Sequence, residues 1–483
     1  MDTPKRPNVV FIITDQQRYD TIAAAGYPYM HTPNLDRLVH EGVCFDRMFV
    51  TAPSCAPSRA SLFTGLYPHT NGVFRNDEPW THTWVRQLAD AGYRCVNVGK
   101  MHTSPFEQSF GFHERHVIEN KDRANPTLPY FLDNWDKAFW NRGIEKPSRV
   151  TYRRRNDYRD RLGAFVWDAP ADLHSDNFVP GLAAHWIDTY RGNEPFFLEI
   201  GIPGPHPPYD PTQDAIDLYA GRTLPEPILD QADIDSQPTA LKKLRAQHLA
   251  HDHDAVVHLP NPTPEQLRRQ REHYFANVTM IDTQVGKLME ALARRGVLDD
   301  TVIIFTSDHG DCLNDHGHSQ KWTMYEQSVR VPAVVWAPGR VAAGRVVDDL
   351  VSLFDLGPTV LEFAGVTAPV WMEARSLLPY LQGDGADPRR YVFAEHAGDR
   401  ILHGTAFMTM IRDHHWKLVH FVDYEEGQLF DLRADPQELH NLWDDPASEP
   451  ARRELVNEIL KWRIYSDLKT QGWAVAVEPK ASR

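Results

Sequence analysis

Residues 8–14 read NVVFIIT, apolar and largely β-branched with no polar residue between the ends. A strand with one wet face alternates apolar and polar residues. An unbroken apolar run is covered on both faces, as in the centre of a parallel sheet. TVIIFT at 301–306 has the same character, and PFFLEI at 195–200 and RCVNV at 94–98 resemble it. Parallel strands cannot be joined by hairpins and need long crossovers, usually helical. Helical patterns lie between these runs, at 33–41, 83–91, 178–190 and 264–295. The expected fold is therefore α/β: a large, doubly wound, mostly parallel sheet flanked by helices.

After about residue 385 the texture changes. Short strand patterns at 391–394, 406–411, 417–421 and 428–431 precede a helical pattern at 451–468. This predicts a smaller C-terminal α+β domain with an antiparallel sheet, so that 1–385 is a catalytic α/β domain and 386–483 a C-terminal subdomain. A chain of 483 residues is long for one domain, and 42% hydrophobic residues suffice for a sizeable core. The formal charge is 51 − 66 = −15, which argues against nucleic acid and against an anionic membrane surface as partners. The four cysteines fit no zinc spacing, and Cys44, Cys95 and Cys312 lie in settings expected of inert core thiols. The N-terminal apolar run is too short for a signal segment or a membrane span, so a cytoplasmic chain with reduced thiols is expected.

Two stretches interrupt the pattern. Residues 120–170 are rich in Arg, Asp and aromatics and are a candidate for substrate recognition. Residues 210–262 carry His248, His251, His253 and His258 without regular ligand spacing, which predicts a solvated surface patch in preference to a metal site. His316, His318, Trp322 and Tyr325 are expected to pack. Oligomeric state is left open, with the tail 473–483 a candidate for docking on a neighbouring copy.

Each long apolar run ends in polar residues: Asp15 and Gln16, Lys100 and His102, His206, and Asp308 and His309. Ligands of open α/β sheets bind beyond the carboxyl ends of the strands, so four strand ends aim chemistry at one crevice. SCAPSRASLFTG at 54–65 adds a cysteine. Pro57 suits the first turn of a helix, which puts Cys55 at a helix N-terminus that favours an anion. Arg59 supplies a forked donor for an oxyanion or for a neighbouring carboxylate. From the residues alone, Cys55 is a core thiol, a disulfide partner, an activated thiolate or a modified side chain.

The segment Cys55-Ala56-Pro57-Ser58-Arg59 resembles the C-x-P-x-R signature of type I sulfatases, of the alkaline-phosphatase-like superfamily. PNVVFIITDQQR, VGKMH, GIPGPHPPYDP, TSDHGDCLNDHGHSQKWTMYEQSVRVP and YEEGQLFDLRADPQELHNL resemble further family elements, in family order. The resemblance spans nearly the whole chain. It implies that Cys55 is oxidised to formylglycine by a maturation enzyme, and that one divalent metal ion is bound by Asp15, Gln16, Cys55, Asp308 and His309. Calcium is the first expectation, and the imidazole also admits manganese or zinc. The implied reaction attacks the sulfur of a sulfate ester with a hydroxyl of hydrated formylglycine and passes through a covalent sulfo-enzyme. Arg59 and Lys100 would steady the nucleophile, and His102 would serve as base for release. His206 and Lys321 would face sulfate and leaving group, with Asn76 a further contact. The cations answer the problem that a net charge of −15 poses for an anionic substrate. The implied substrate is a small-molecule or saccharide sulfate ester.

The pairs Asp15-Gln16 and Asp308-His309 depart from the two-aspartate and Asp-Asn pairs of many sulfatases. They resemble a branch that includes phosphonate monoester hydrolases and some carbohydrate and choline sulfatases, which makes phosphonate or phosphodiester hydrolysis the alternative activity. Lys100 and His102 keep the sulfatase form and favour sulfate. A catalytically dead binding protein would have lost a residue of this set, and none is lost.

Overall fold

The computed structural model describes residues 6–119, 132–383 and 385–472. Its largest sheet has eight strands. In chain order they are β1 (Asn8–Asp15), β2 (Val43–Phe45), β3 (Arg94–Gly99), β4 (Glu114–Val117), β5 (Phe196–Pro205), β6 (Thr301–Ser307), β7 (Ala333–Trp336) and β8 (Arg345–Val347). Across the sheet the order is β8-β2-β7-β6-β1-β5-β3-β4. The strands from β6 to β4 are mutually parallel, and β7 is antiparallel to both β6 and β2.

β1 shows why its sequence has no polar alternation. Val9, Phe11 and Ile13 belong to the core on one face, with Leu62, Phe63 and Trp84. Val10 and Ile12 belong to the core on the other, with residues of the helices Pro33–Glu41, Ser175–Thr189 and Pro264–Arg294. Successive side chains of a strand point to opposite faces, so a doubly covered strand must be apolar at every position. The longest helix, Pro264–Arg294, starts at a capping box in which Thr263 and Gln266 satisfy each other's backbone N–H groups. None of the described helices is long and apolar enough to cross a membrane.

The C-terminal sheet is antiparallel and four-stranded: β9 (Val392–Ala397), β10 (Phe407–Arg412), β11 (Trp416–Phe421) and β12 (Gly427–Asp431), followed by the helix Glu449–Thr470. It packs against the main body through apolar residues such as Val392, Ala394 and Met408, which are continuous with the core beneath β1. The stretch expected to be irregular at 210–262 contains the helix Thr239–Ala250, and three short helices lie between 134 and 161. The tail 473–483 and residues 120–131 lie outside the described residues.

At the strand ends the backbones come very close. A Cβ on Gly201 of β5 would run into the carbonyl of Lys100, and a Cβ on Gly99 would meet the carbonyl of Gly201. Glycine at these two positions lets β3 and β5 deliver Lys100 and His206 to the same crevice.

Candidate active site

The parallel strands β1, β3, β5 and β6 end on one edge, and the residues that follow them meet the helix Cys55–Thr64 there. Cys55 is the first residue of that helix, entered through an extended Ser54. The Ser54 side chain does not cap the helix. Its hydroxyl donates to Asn76 Oδ1 at 3.2 Å, and the same oxygen accepts from the Ala56 N–H at 3.2 Å. Asn76 therefore supplies the cap from another segment and fixes the start of the helix.

The Cys55 sulfur meets three groups: Lys321 Nζ at 2.9 Å, His309 Nε2 at 3.2 Å and Asp15 Oδ1 at 3.5 Å. Asp15 is also paired with Lys100. Burial alone would raise the Asp15 carboxyl, but the neighbouring cations, Lys100 first and Lys321 with it, hold it well below the usual carboxylate range. Arg59 is fully buried and spends its guanidinium on three strand ends. Nε donates to Asp308 Oδ2 at 2.7 Å, Nη1 to the Lys100 carbonyl at 2.6 Å and Nη2 to the Thr14 carbonyl at 3.3 Å. The second oxygen of Asp308 accepts from the Gln16 N–H at 3.0 Å. Arg59 thus fixes the carboxylate that follows β6, the chain after β3 and the end of β1 relative to one another.

Asp15, Cys55, Asp308 and His309 each place one ligand atom within 4.8 Å of the others, the only such group of at least three His, Cys, Asp or Glu residues among the described residues. Their chemistry fits a divalent ion. A carbonyl can only accept, so His309 Nδ1 donates to Gly310 O at 2.9 Å and leaves the Nε2 lone pair facing Asp15 and Asp308, each 3.6 Å away. Burial lowers the pKa of His309, so it is held in the neutral form that ligates metals. Lys321 Nζ sits 3.1 Å from Gln16 Oε1 and 3.4 Å from His309 Nε2, so this cage already attracts a cation. Burial would lower the pKa of Lys321, but Cys55, Asp15 and Asp254 raise it, and the ammonium stays charged.

The structure thus brings Asp15, Gln16, Cys55, Arg59, Lys100, Asp308, His309 and Lys321 into one contact network. His206 is buried at the rim, within the field of Asp15, Lys321 and Lys100, and its Nδ1 donates to Pro207 O at 2.9 Å. Burial lowers its pKa well below the ordinary histidine value. His102 is buried two residues beyond Lys100, with its backbone N–H on Glu119 at 3.0 Å and a left-handed φ of 62°. Burial pushes the Cys55 thiol up to about 11, with Asp15 acting in the same sense and the lysines opposing. Cys44 and Cys95 are buried thiols pushed up to about 12, and Cys312 is buried beside Thr323 with its pKa also raised.

One expectation is overturned in part. His248 and His258 are 3% and 5% exposed, so these two are interior, whereas His253 is half-buried and His251 is exposed. His248 completes the buried face of the helix Thr239–Ala250, and its ring lies 5.7 Å from that of Trp322. The sequence reading also missed Asp254 and Asp311. Asp311 accepts from Gln16 Nε2 at 2.8 Å and from the Tyr209 hydroxyl at 2.6 Å, which orients the Gln16 amide. Its signal lay in the polar run that follows TVIIFTSDHG.

Comparison with known proteins agrees with this architecture. The sulfatase family model matches residues 7–366, and a model of the C-terminal part of N-sulphoglucosamine sulphohydrolase matches 314–464. The chain belongs to the sulfatase family, the hydrolases of sulfate esters. An arylsulfatase of Clostridium perfringens is 30% identical over 456 residues, covering 90% of each chain. The choline-sulfatase of Rhizobium meliloti is 30% identical, covering 98% of this chain and 88% of its own. The crystal structure of a phosphonate monoester hydrolase of Agrobacterium radiobacter superposes with a TM-score of 0.82 at 26% identity, covering 95% of this chain and 96% of that one.

Proposed function

We propose that this chain hydrolyses sulfate monoesters of small molecules or saccharides, using a formylglycine made from Cys55 and one divalent metal ion. The observation that carries the reading is the convergence on Cys55 Sγ of Lys321, His309 and Asp15 at 2.9–3.5 Å. In the matured protein that sulfur stands in for the oxygens of the hydrated aldehyde. Formylglycine would supply a geminal diol, able both to attack sulfur and to release sulfate. The metal, held by Asp15, Gln16, Asp308, His309 and the matured residue 55, would polarise a sulfuryl oxygen and acidify a bound hydroxyl. Calcium suits the oxygen donors, and manganese or zinc suits His309.

The protein's own groups have distinct tasks. Arg59 holds Asp308 and Lys100 holds Asp15, so the carboxylates keep their places as charge builds. Lys321 and His206 face the sulfate and the departing oxygen. His102 is the base assigned to sulfate release. Together Arg59, Lys100 and Lys321 give an anion a locally favourable potential inside a chain of net charge −15. A maturation enzyme that converts Cys55 is a required partner.

Removal of metal tests the reading. Dialysis against a chelator is expected to lower sulfate turnover by roughly a hundredfold or more, restored by adding back calcium, manganese or zinc. Turnover indifferent to chelation would contradict the metal role. Peptide mass of the segment around Cys55 reads the conversion directly, as replacement of the thiol sulfur by an aldehyde oxygen with loss of two hydrogens.

Phosphonate monoester hydrolysis is the second reading. Gln16 and His309 favour it, as does the likeness to the Agrobacterium enzyme. Lys100 and His102, together with the arylsulfatase and choline-sulfatase relatives, favour sulfate.

A further inference from the structure

Gln16 is held at every one of its polar groups. Its backbone is left-handed at φ 69°, which is uncommon for a residue with a side chain, and it is kept there from both sides. The N–H donates to Asp308 Oδ1 at 3.0 Å, and the carbonyl accepts from the Tyr274 hydroxyl at 2.7 Å. The side-chain Nε2 donates to Asp311 Oδ2 at 2.8 Å, and Oε1 accepts from Lys321 Nζ at 3.1 Å. A carboxylate only accepts hydrogen bonds, so the NH2 end of the amide must face Asp311. The oxygen end is thereby turned toward the place where the Lys321 ammonium meets Cys55 and His309.

Asp311 is itself fixed and fully buried. Besides Gln16, Oδ2 accepts from the Tyr209 hydroxyl at 2.6 Å, and Oδ1 accepts from the Leu313 N–H at 2.9 Å. Tyr209 follows β5 and Tyr274 lies on the helix Pro264–Arg294, and their rings meet edge to face at 5.6 Å. Two packed tyrosines thus hold the carbonyl of Gln16 and the carboxylate that grips its amide. All three donors to Asp311 are neutral, and among the described residues no Lys, Arg or His side chain pairs with its carboxylate. Arg18 donates to the Asp311 carbonyl at 2.9 Å but spends its charge on Asp20 and Asp315. A buried carboxylate without a cation partner is costly. Asp311 lies outside the group formed by Asp15, Cys55, Asp308 and His309, so its charge favours a cation there from one hydrogen bond away.

We propose that Asp311 is a positioning residue for Gln16 as a metal ligand. It fixes the amide with its oxygen toward the ion, and it supplies from outside the ligand set the negative charge that a carboxylate at position 16 would bring. A neutral amide oxygen is a weaker partner for a divalent ion than a carboxylate oxygen. The hydrogen bond from Nε2 to Asp311 polarises the amide and raises the negative charge on Oε1, so the pair Gln16–Asp311 acts as one anionic ligand spread over two residues. This inference rests on the metal-dependent part of the function proposed above.

The test is metal occupancy, read without turnover. Full chains with Cys55 converted are equilibrated in chelator-buffered series of Mn²⁺ and of Ca²⁺, and bound metal is counted after separation from the buffer. Metal-free melting curves identify any variant that fails to fold. Asp311→Asn is expected to raise the free-ion concentration at half occupancy by about tenfold or more, because the charge is lost and an asparagine accepts either end of the Gln16 amide. The exchange Gln16→Glu with Asp311→Asn keeps one carboxylate and one amide in contact, and it should bind within about threefold of wild type. Unchanged affinity in Asp311→Asn, or an exchange variant outside that range in either direction, would overturn the role of Asp311. A loss that the exchange leaves unrepaired would mark Asp311 as a packing residue only. If Asp311→Asn fails to fold, the exchange variant decides alone: were Asp311 without a part, that chain would simply gain a carboxylate ligand and bind far more tightly than wild type. A converted wild type that takes up neither ion would overturn the metal reading itself, whatever the variants do.

Discussion

Replacement of Cys55 by alanine is expected to lower sulfate-ester turnover by at least about a thousandfold with metal present and substrate saturating. The argument is local. The sulfur of residue 55 is the point on which Lys321, His309 and Asp15 converge, and alanine leaves no atom there for a nucleophile or a metal. The fold should survive, because residue 55 opens a helix that alanine favours and the N-terminal cap comes from Asn76. The check is a melting curve within a few degrees of wild type alongside the rate. A variant that melts normally and turns over sulfate near the wild-type rate would eliminate residue 55 as nucleophile.

Arg59→Met is expected to damage stability as well as rate. Arg59 and Asp308 are both fully buried, and their contact at 2.7 Å is shielded from water. Removing one partner of a buried pair leaves the other charge uncompensated, at a typical cost of about 3–5 kcal/mol. Here the carbonyls of Lys100 and Thr14 also lose donors, and Glu199 loses a neighbouring cation. The readout is the midpoint of denaturant unfolding, with Arg59→Lys intermediate because it keeps the charge and loses the fork. Arg59→Met combined with Asp308→Asn should cost less than the sum of the single changes. Additive losses would show that the pair does not couple the strand ends.

Much of this site could be read from the chain because the strands that build it are buried on both faces. NVVFIIT and TVIIFT stand out as unbroken apolar runs, and the polar pair after each lies where a parallel sheet opens its crevice. Cys55 was placed correctly at a helix start by Pro57, although its cap is Asn76, a tertiary contact that no local pattern reveals. The short strands β2, β7 and β8 escaped because three or four residues carry no clear period. The helix Thr239–Ala250 escaped for another reason. Its buried face runs Ala240, Leu241, Leu244, His248, so the apolar stripe ends on a histidine that reads as polar. The same substitution of a buried imidazole for an apolar side chain makes His248 and His258 look solvated, while His251 is exposed as its sequence suggests. The Asp254–Arg149 contact joins two segments about a hundred residues apart, both rich in charge, and only their packing brings them to His206.

The central claim is that these residues turn over sulfate esters from residue 55, on a scaffold shared with phosphonate hydrolases. One measurement tests it most directly: paired kcat/KM values for an aryl sulfate and an aryl phosphonate monoester with the same leaving group, on one metal-replete preparation with Cys55→Ala as the blank. The account predicts a higher value for the sulfate and only background from the blank. A phosphonate value higher by orders of magnitude would contradict it, and would mean that Gln16 and His309 decide the chemistry over Lys100 and His102.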